Sequence, residues 1–293
     1  GSATPLLSDG TDFGDILNGA AFWQGFCVEN TGGDDLHLTG TPSVSVTGDA
    51  AFAVETQPAG TIESGFVASC VTITFRPTSV GSHTAVVSIA NDDADENPYT
   101  FTIQGNGSDP AAACAGVTEI PSAECNALIA LFIGANGYGW HTNTDWLSTN
   151  TPCTWYGVAC AAGHVDILNL RNNGLSGRIP PGINGLSQLT ILNLSFNNLS
   201  GKLPAGMGNL VNLRALFLSG NRFRGDFPPS IVNLVNLHDF EYDCSLTSSD
   251  PDVLAFIDEM SSNWESCFPN MLVRGNAFTI NPADGIPSIV DGT

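Results

Sequence analysis

Two hydrophobic rhythms divide the chain. From residue 165 the apolar positions recur every 24 residues: Val165, Leu189, Leu213 and Leu237 share a phase, as do Asn173, Asn197 and Asn221. The frame is Leu-x-x-Leu-x-Leu-x-x-Asn-x-Leu followed by Ser-Gly-x-Ile-Pro, nearly written twice in "NGLSGRIPPGINGLSQLTILNLSFNNLSGKLPAGMGNL". Its in-phase leucines predict a short strand with one buried face. The asparagine falls where the chain turns inward, and its amide can satisfy turn backbone that burial would otherwise leave unpartnered. Gly177, Gly201 and Gly225 permit a tight bend, and the prolines after them stop the strand. No single unit can bury its leucines but a stack can, so the segment predicts a solenoid. Residues 9–107 keep period two instead: "VTITF", "TAVVSIA" and "YTFTIQG" alternate apolar and polar between Gly, Pro, Asn and Asp clusters. That predicts an all-β sandwich.

The repeat frame, with its "LSGxIP" mark, resembles leucine-rich repeats of the plant-type 24-residue class. A fourth unit starts at Leu237, Phe240 and Tyr242, but Ser245 stands where the asparagine belongs. Upstream, "ECNALIALFIGANGYGWHTNTDW" and "CTWYGVAC" resemble the N-terminal cap of such proteins. The resemblance implies a Cys153–Cys160 bridge, with Cys114 and Cys125 bracing a first helix that Ser122 can cap. Downstream, "SSDPDVLAFIDEMSSNW" offers Asp250 as a helix cap and Pro251 in the first turn, and Cys244 and Cys267 flank it as a C-terminal cap. The stretches "DFGDI", "FCVENTGGDDLHLTG", "CVTITFRPTSVGSHTAVVSIANDD" and "ENPYTFTIQGNG" resemble the immunoglobulin-like choice-of-anchor D module, which implies a large secreted or surface-tethered bacterial protein. Cys27 and Cys70 lie out of phase with their apolar neighbours, so they can pair across strands on the polar face.

The expected architecture is therefore multidomain: an N-terminal all-β immunoglobulin-like sandwich (1–108), a linker (109–113) and a short α/β leucine-rich-repeat solenoid with disulfide-bonded caps (114–268). Within the solenoid the N-cap spans 114–163, the repeats 164–243 and the C-cap 244–268. Residues 269–293 read as a linker and the start of a following truncated β module, because "PSIVDGT" at 287–293 repeats the "PLLSDGT" of 5–11. The opening Gly-Ser reads as an expression scar, so targeting information is missing.

Charge sharpens this picture. Eight basic residues face 29 acidic ones, net −21, and a surface of that sign repels nucleic-acid backbones. The imbalance is uneven: residues 1–108 hold 13 acids and only Arg76, whereas residues 164–243 hold six bases against five acids. Arg178, Lys202, Arg222 and Arg224 fall on turns after the strands; the readings left are contact with the acidic β domain of the same or a neighbouring molecule and plain surface residues. Eight cysteines in consecutive pairs, without CxxC spacing, predict four disulfides and an oxidising, extracellular setting. No apolar run approaches the roughly 18 residues of a membrane span.

Candidate chemistry is sparse. The positions between buried leucines predict a concave face carrying Ile167, Ile191 and Asp239; Asn169, Asn193, Phe217 and Glu241; and Arg171, Ser195 and Ser219. Apolar anchors, carboxamides and both charge signs suit recognition of a protein, peptide or glycan. "NDDADENP" offers Asp92, Asp93, Asp95, Glu96 and Asn97 as oxygen ligands. Pro98 replaces the glycine an EF-hand needs, so the readings left are irregular Ca²⁺ binding and a solvated acidic turn. No other cofactor is expected. The five histidines are scattered, and neither HExxH nor GxSxG occurs, so no enzyme is expected. The expected function is a non-catalytic binding or adhesion module; the alternatives are a structural spacer and an accessory region of a secreted hydrolase.

Overall fold

A computed structural model describes residues 4–65, 69–261 and 267–268, without the side chains of 261, 267 and 268. The expected β module at 269–293 lies outside the described residues.

The described residues of the period-two region fold into nine strands: β1 (Asp12–Leu17), β2 (Phe22–Val28), β3 (Leu36–His37), β4 (Val44–Gly48), β5 (Phe52–Thr56), β6 (Thr61–Ile62), β7 (Ser69–Phe75), β8 (Gly81–Ile89) and β9 (Tyr99–Ser108). One sheet has the order β1-β9-β8-β4, the other β2-β7-β5, with β3-β6 as a small third ladder. Their inward faces bury Val71, Ile73, Val87 and Ile103 around a ring cluster. In it Phe52 stacks on Phe75 at 4.6 Å and Phe13 stands edge-on to both. Cys27 sits opposite Cys70 in register on the exposed face, and the two are bonded.

His83 is buried in this sandwich, with Nδ1 2.7 Å from Asp49 Oδ2 and Nε2 3.0 Å from the Ser79 carbonyl. Both ring nitrogens face acceptors, which favours the imidazolium. The Ser79 carbonyl, then the Asp49 carboxylate, hold the His83 pKa above its ordinary value. The Ala51 N–H, then His83, hold Asp49 below the usual carboxylate range.

The 24-residue rhythm folds as a stack of short parallel rungs. A cap hairpin, Val158–Ala161 against His164–Asn169, leads into parallel strands Ile191–Asn193, Ala215–Phe217 and Asp239–Asp243. Register is strict: Leu168 pairs with Leu192, Leu192 with Leu216 and Leu216 with Phe240, all buried. The Ser-Gly segments add a second parallel ladder (Ser176–Gly177, Asn198–Gly201, Arg222–Phe223) that the bend alone did not announce. Gly177, Gly201 and Gly225 have φ of 95°, 83° and 97°, as their bends require.

The recurring asparagines form a ladder. Asn197 Oδ1 accepts from the N–H groups of Asn173 and Leu175 at 2.9 and 3.0 Å. Its Nδ2 donates to the carbonyls of Leu170, Leu194 and Ser195. Asn221 repeats the pattern one rung later, and Asn173 closes the near end on both backbone groups of Thr142. At the far end Asp243, not residue 245, takes the ladder position: its carboxylate accepts from Gly220 and Asn221 N–H at 2.8 and 2.9 Å. Ser245 donates instead to the Phe223 carbonyl.

The N-cap is an aromatic plug. Helix α1 (Ser122–Gly134) presents Phe132 to Trp140 and Trp146, and Trp146 to Trp155, and each indole N–H finds an acceptor. Ser122 is the first helical residue; Pro121 precedes it and no side chain caps that end. Buried Glu124 ties the helix to the sheet, accepting from Val165 N–H at 2.7 Å beside His164 Nδ1 at 2.6 Å. The Cys114–Cys125 and Cys153–Cys160 bridges are formed. Asp250 caps α2 (Pro251–Ser261) through Asp252 N–H, and Cys244 is also disulfide-bonded; the side chain of Cys267 lies outside the described ones.

The expected linker is ordered: Pro110–Cys114 form a 3₁₀ turn capped by Asp109. The sandwich also touches the cap directly, where Leu17 N–H donates to Tyr138 Oη at 3.1 Å and Phe22 packs edge-on to the Tyr138 ring. Burial first, with a minor contribution from the Asp15 charge, raises the Tyr138 pKa against the lowering effect of that Leu17 bond.

Removing Asn197 strands two buried N–H groups and several carbonyls, each costing about 1–3 kcal/mol. Asn197→Ala should therefore lose roughly 3–5 kcal/mol in urea unfolding, while Asn198→Ala at the exposed neighbouring position stays within about 0.5 kcal/mol. The histidine pair makes a second test. His83's raised pKa means its stabilisation is complete below the unfolded value of about 6.5 and fades as pH rises through the folded one. Asp49's contribution fades only at acid pH. The stability gap between wild type and His83→Gln should thus be widest near pH 6 and shrink by about pH 9 in parallel denaturation curves.

Candidate binding surface

The parallel register lines up three columns across the sheet. Ile167 and Ile191 are half-buried, Ala215 beside them is buried, and Asp239 is exposed. In the next column Asn169 is exposed, while Asn193, Phe217 and Glu241 are half-buried. The third column departs from expectation: Ser195 and Ser219 are buried and offer no contact surface. Ser195 Oγ donates to Asn193 Oδ1 at 2.7 Å, and Ser219 Oγ donates to Glu241 Oε2 at 3.0 Å. Both hydroxyls hold their neighbours in place.

What stands out of the sheet there is Phe196. Its position falls just before the ladder asparagine, where the chain must kink inward, and the three equivalents Asn172, Phe196 and Gly220 have φ of 50°, 57° and 71°. Asparagine and glycine suit that left-handed conformation; for phenylalanine it costs of order 1–2 kcal/mol. The strain holds because Asn172 N–H donates to Ser195 O and Phe196 N–H to Ser219 O, tying the kink to the next rung. The ring lies over Gly220, where a Cβ would come within 2.9 Å of Phe196 Cδ1. It remains 49% exposed, with the Arg171 guanidinium 4.3 Å from its centroid. Arg171 Nη1 also reaches Ser195 Oγ at 3.4 Å.

The surface is consequently polarised along the stacking axis. Arg171 and Phe196 mark its first rungs; Asp239 and Glu241 mark its last, roughly 14 Å away at about 4.8 Å per rung. The basic turn residues Arg178, Lys202, Arg222 and Arg224 are exposed away from these columns.

Elsewhere, side chains of the acidic loop bond to nearby backbone. Asp92 Oδ1 accepts from His37 N–H, Asp93 Oδ1 from Asp95 N–H and Asn97 Oδ1 from Asn91 N–H. The hydrogen bond and charge of Asp93 push the Asp95 carboxyl up. Glu96 is exposed on the same loop. Among the described residues no three His, Cys, Asp or Glu side chains gather as a metal site. Nor, among them, is any helix long and apolar enough to cross a membrane. Of the histidines, His83 is enclosed, and His164 pairs with a Glu124 already bonded to backbone.

Phe196→Asn should keep folding stability within about 1 kcal/mol of wild type, since strain relief offsets the lost ring contacts. Thermal unfolding beside Phe196→Val, a β-branched residue poorly suited to positive φ and predicted to be clearly less stable than Phe196→Asn, tests that account.

Residues 163–223 match the family model described as Leucine rich repeat, and residues 6–106 match the model for the HYDIN/CFA65/VesB-like Ig-like domain. A PEPR1–AtPEP1 crystal structure is similar at 30% identity over 42% of this chain and 18% of that one, with a TM-score of 0.37. The ectodomain of the receptor kinase SOBIR1 from Arabidopsis thaliana is 28% identical over 44% of this chain and 69% of its own, with a TM-score of 0.36. The Vibrio cholerae VesB protease matches at 16% identity over 33% of this chain and 29% of its own, with a TM-score of 0.27. The chain thus spans less than a fifth of the PEPR1 chain it matches. The architecture is an immunoglobulin-like domain followed by a disulfide-capped leucine-rich-repeat domain.

Proposed function

We propose that this chain is a non-catalytic recognition module of an extracellular protein, and that its concave sheet binds an extended peptide or an exposed segment of a protein. The observation that carries the reading is Phe196, an aromatic kept half-exposed in a strained conformation and flanked by a cation. Strain of this kind persists where the surrounding structure and a function retain it. Exposed aromatics and arginines are the side chains that anchor interfaces. The carboxylates at the opposite end give a ligand a direction: an acidic or carboxyl-terminal group near Arg171, a basic one near Asp239 and Glu241. The buried frame beneath supplies rigidity without contributing contacts. The disulfides fit an oxidising exterior. The further placement, in a bacterial surface protein of choice-of-anchor D type, rests on the stretches that resemble that module. Calcium is no part of this reading; in the loop Asp92, Asp93 and Asn97 each place one side-chain oxygen on a backbone N–H.

A second reading, a rigid spacer, is favoured by the bonded joint at Tyr138. The two separate in a binding screen of the chain against extracellular proteins, peptides and glycans, run beside Phe196→Asn and Phe217→Ala. The recognition reading expects a ligand whose affinity falls at least tenfold in both variants. Silence at high micromolar concentration, or hits indifferent to both changes, leaves the spacer.

A further inference from the structure

Among the described residues the sandwich has an open seam. β9 is flanked on one side by β8 from Tyr99 to Gly107, but on the other side, among these residues, β1 pairs only from Gln104 onward. The reason lies in the Pro5–Thr11 stretch. Thr11 N–H and Oγ1 bond to Asp9 Oδ1, Gly10 takes φ of 78°, and Asp12 N–H returns to the Leu6 carbonyl. The turn carries the chain away before it can cover the first half of β9. Gln104 N–H points toward the β1 side, to Thr11 O, so by strand alternation the backbone of Thr100 and Thr102 faces the same open side. Across the seam β2 is the last strand of its own sheet.

Between these two edges lies a cleft of about 760 Å³, ordinary for a ligand site. Its floor includes Phe26, Leu38, Ile89 and Phe101. Phe26 and Phe101 belong to the inward faces, with rings 5.2 Å apart, yet both stay half-exposed, as core residues do when a covering strand is lacking. Four carboxylates, Asp9, Glu29, Asp93 and Glu96, line the cleft, and among the described residues no lysine or arginine does.

We propose that this cleft is a strand-acceptor site for an extended peptide that alternates apolar and basic residues. Such a peptide would pair its backbone with Thr100 and Thr102 in line with β1. It would place alternate apolar side chains on Phe26 and Phe101, and its basic ones among the four carboxylates. A second copy of this chain is a poor occupant, since two domains that each hold 13 acids and a single base repel.

The probe is an acetylated, amidated heptapeptide alternating valine with lysine, titrated into the full chain by fluorescence anisotropy. The expected result is micromolar binding that weakens with salt. It should fall at least tenfold when glutamate replaces lysine, when alternate amides are N-methylated, or in Thr102→Pro, which removes an edge N–H that β8 does not use. Thermal melting checks that Thr102→Pro folds. Independently of that variant, amide exchange at Thr100 and Thr102 in the wild type should slow at least tenfold under saturating peptide. Phe196→Asn should bind the probe unchanged, so failure here and failure of the concave surface remain distinguishable. Absent binding at millimolar peptide, indifference to N-methylation or to a folded Thr102→Pro, or unaltered exchange overturns the assignment. So does a dimer in sedimentation that Thr102→Pro dissolves, which would give the seam to a second copy.

Discussion

A solenoid must bring its backbone inward once per turn, and each inward turn buries peptide groups that no neighbouring strand can reach. In this molecule one amide per rung resolves that demand. Asn197 joins five backbone groups across adjacent rungs, and Asn221 and Asn173 continue the series. The amide is suited because it both accepts and donates. The same logic explains the end of the ladder. Asp243 accepts from Gly220 and Asn221, but a carboxylate has no N–H to pass on. Substituting acid for amide therefore terminates the series chemically, at the rung where the leucine frame also dissolves. The kink that feeds each asparagine inward fixes a left-handed residue before it, and so determines where Phe196 can stand.

The sandwich meets the same need differently, through a sheet and one buried imidazole ring bridging Asp49 and Ser79. Its lateral seam shows the cost of leaving a strand short: aromatic side chains that alternation sends inward remain partly open. The domains are coupled where a backbone N–H of the sandwich meets the hydroxyl of Tyr138, a residue whose ring also packs on Phe132 of the cap. Any tension applied along the chain reaches the solenoid through that contact as well as through the short 3₁₀ connection.

Much of this was legible because it is periodic. The leucines, the asparagines, the glycine bends and the exposed Cys27–Cys70 pair follow from spacing and phase alone. What was not legible depends on departures from period. Asp243 lies two residues before the frame's asparagine slot, and nothing in spacing says a carboxylate will reach back to fill it. Ser195 and Ser219 look like strand positions on the open face, yet both are buried, and their hydroxyls are taken up by the neighbouring Asn193 and Glu241 side chains. Phe217 was expected on the concave face, where the register leaves it half-buried; the aromatic that stands exposed is Phe196. The clue was present, since a phenylalanine shares a slot with Asn172 and Gly220, but its meaning requires the backbone angle. Glu124 and Tyr138 act across 41 and 121 residues respectively, separations that no local pattern encodes.

A surface built on four rungs cannot bind by area. Interfaces of moderate affinity ordinarily bury about 800 Å² per partner, and columns roughly 14 Å long supply only a part of that. Recognition on so short a sheet must therefore come from a few anchors that are already ordered before the ligand arrives. The Arg171–Phe196 pair meets that condition, because the kink fixes the ring, the guanidinium covers one face, and Ser195 restrains the arginine. Ordering these side chains in advance spares a ligand the rotamer entropy of immobilising them, which compensates for the small contact. The strain at Phe196 is then intelligible as the consequence of placing a large aromatic at the one position of the repeat that both projects outward and cannot move.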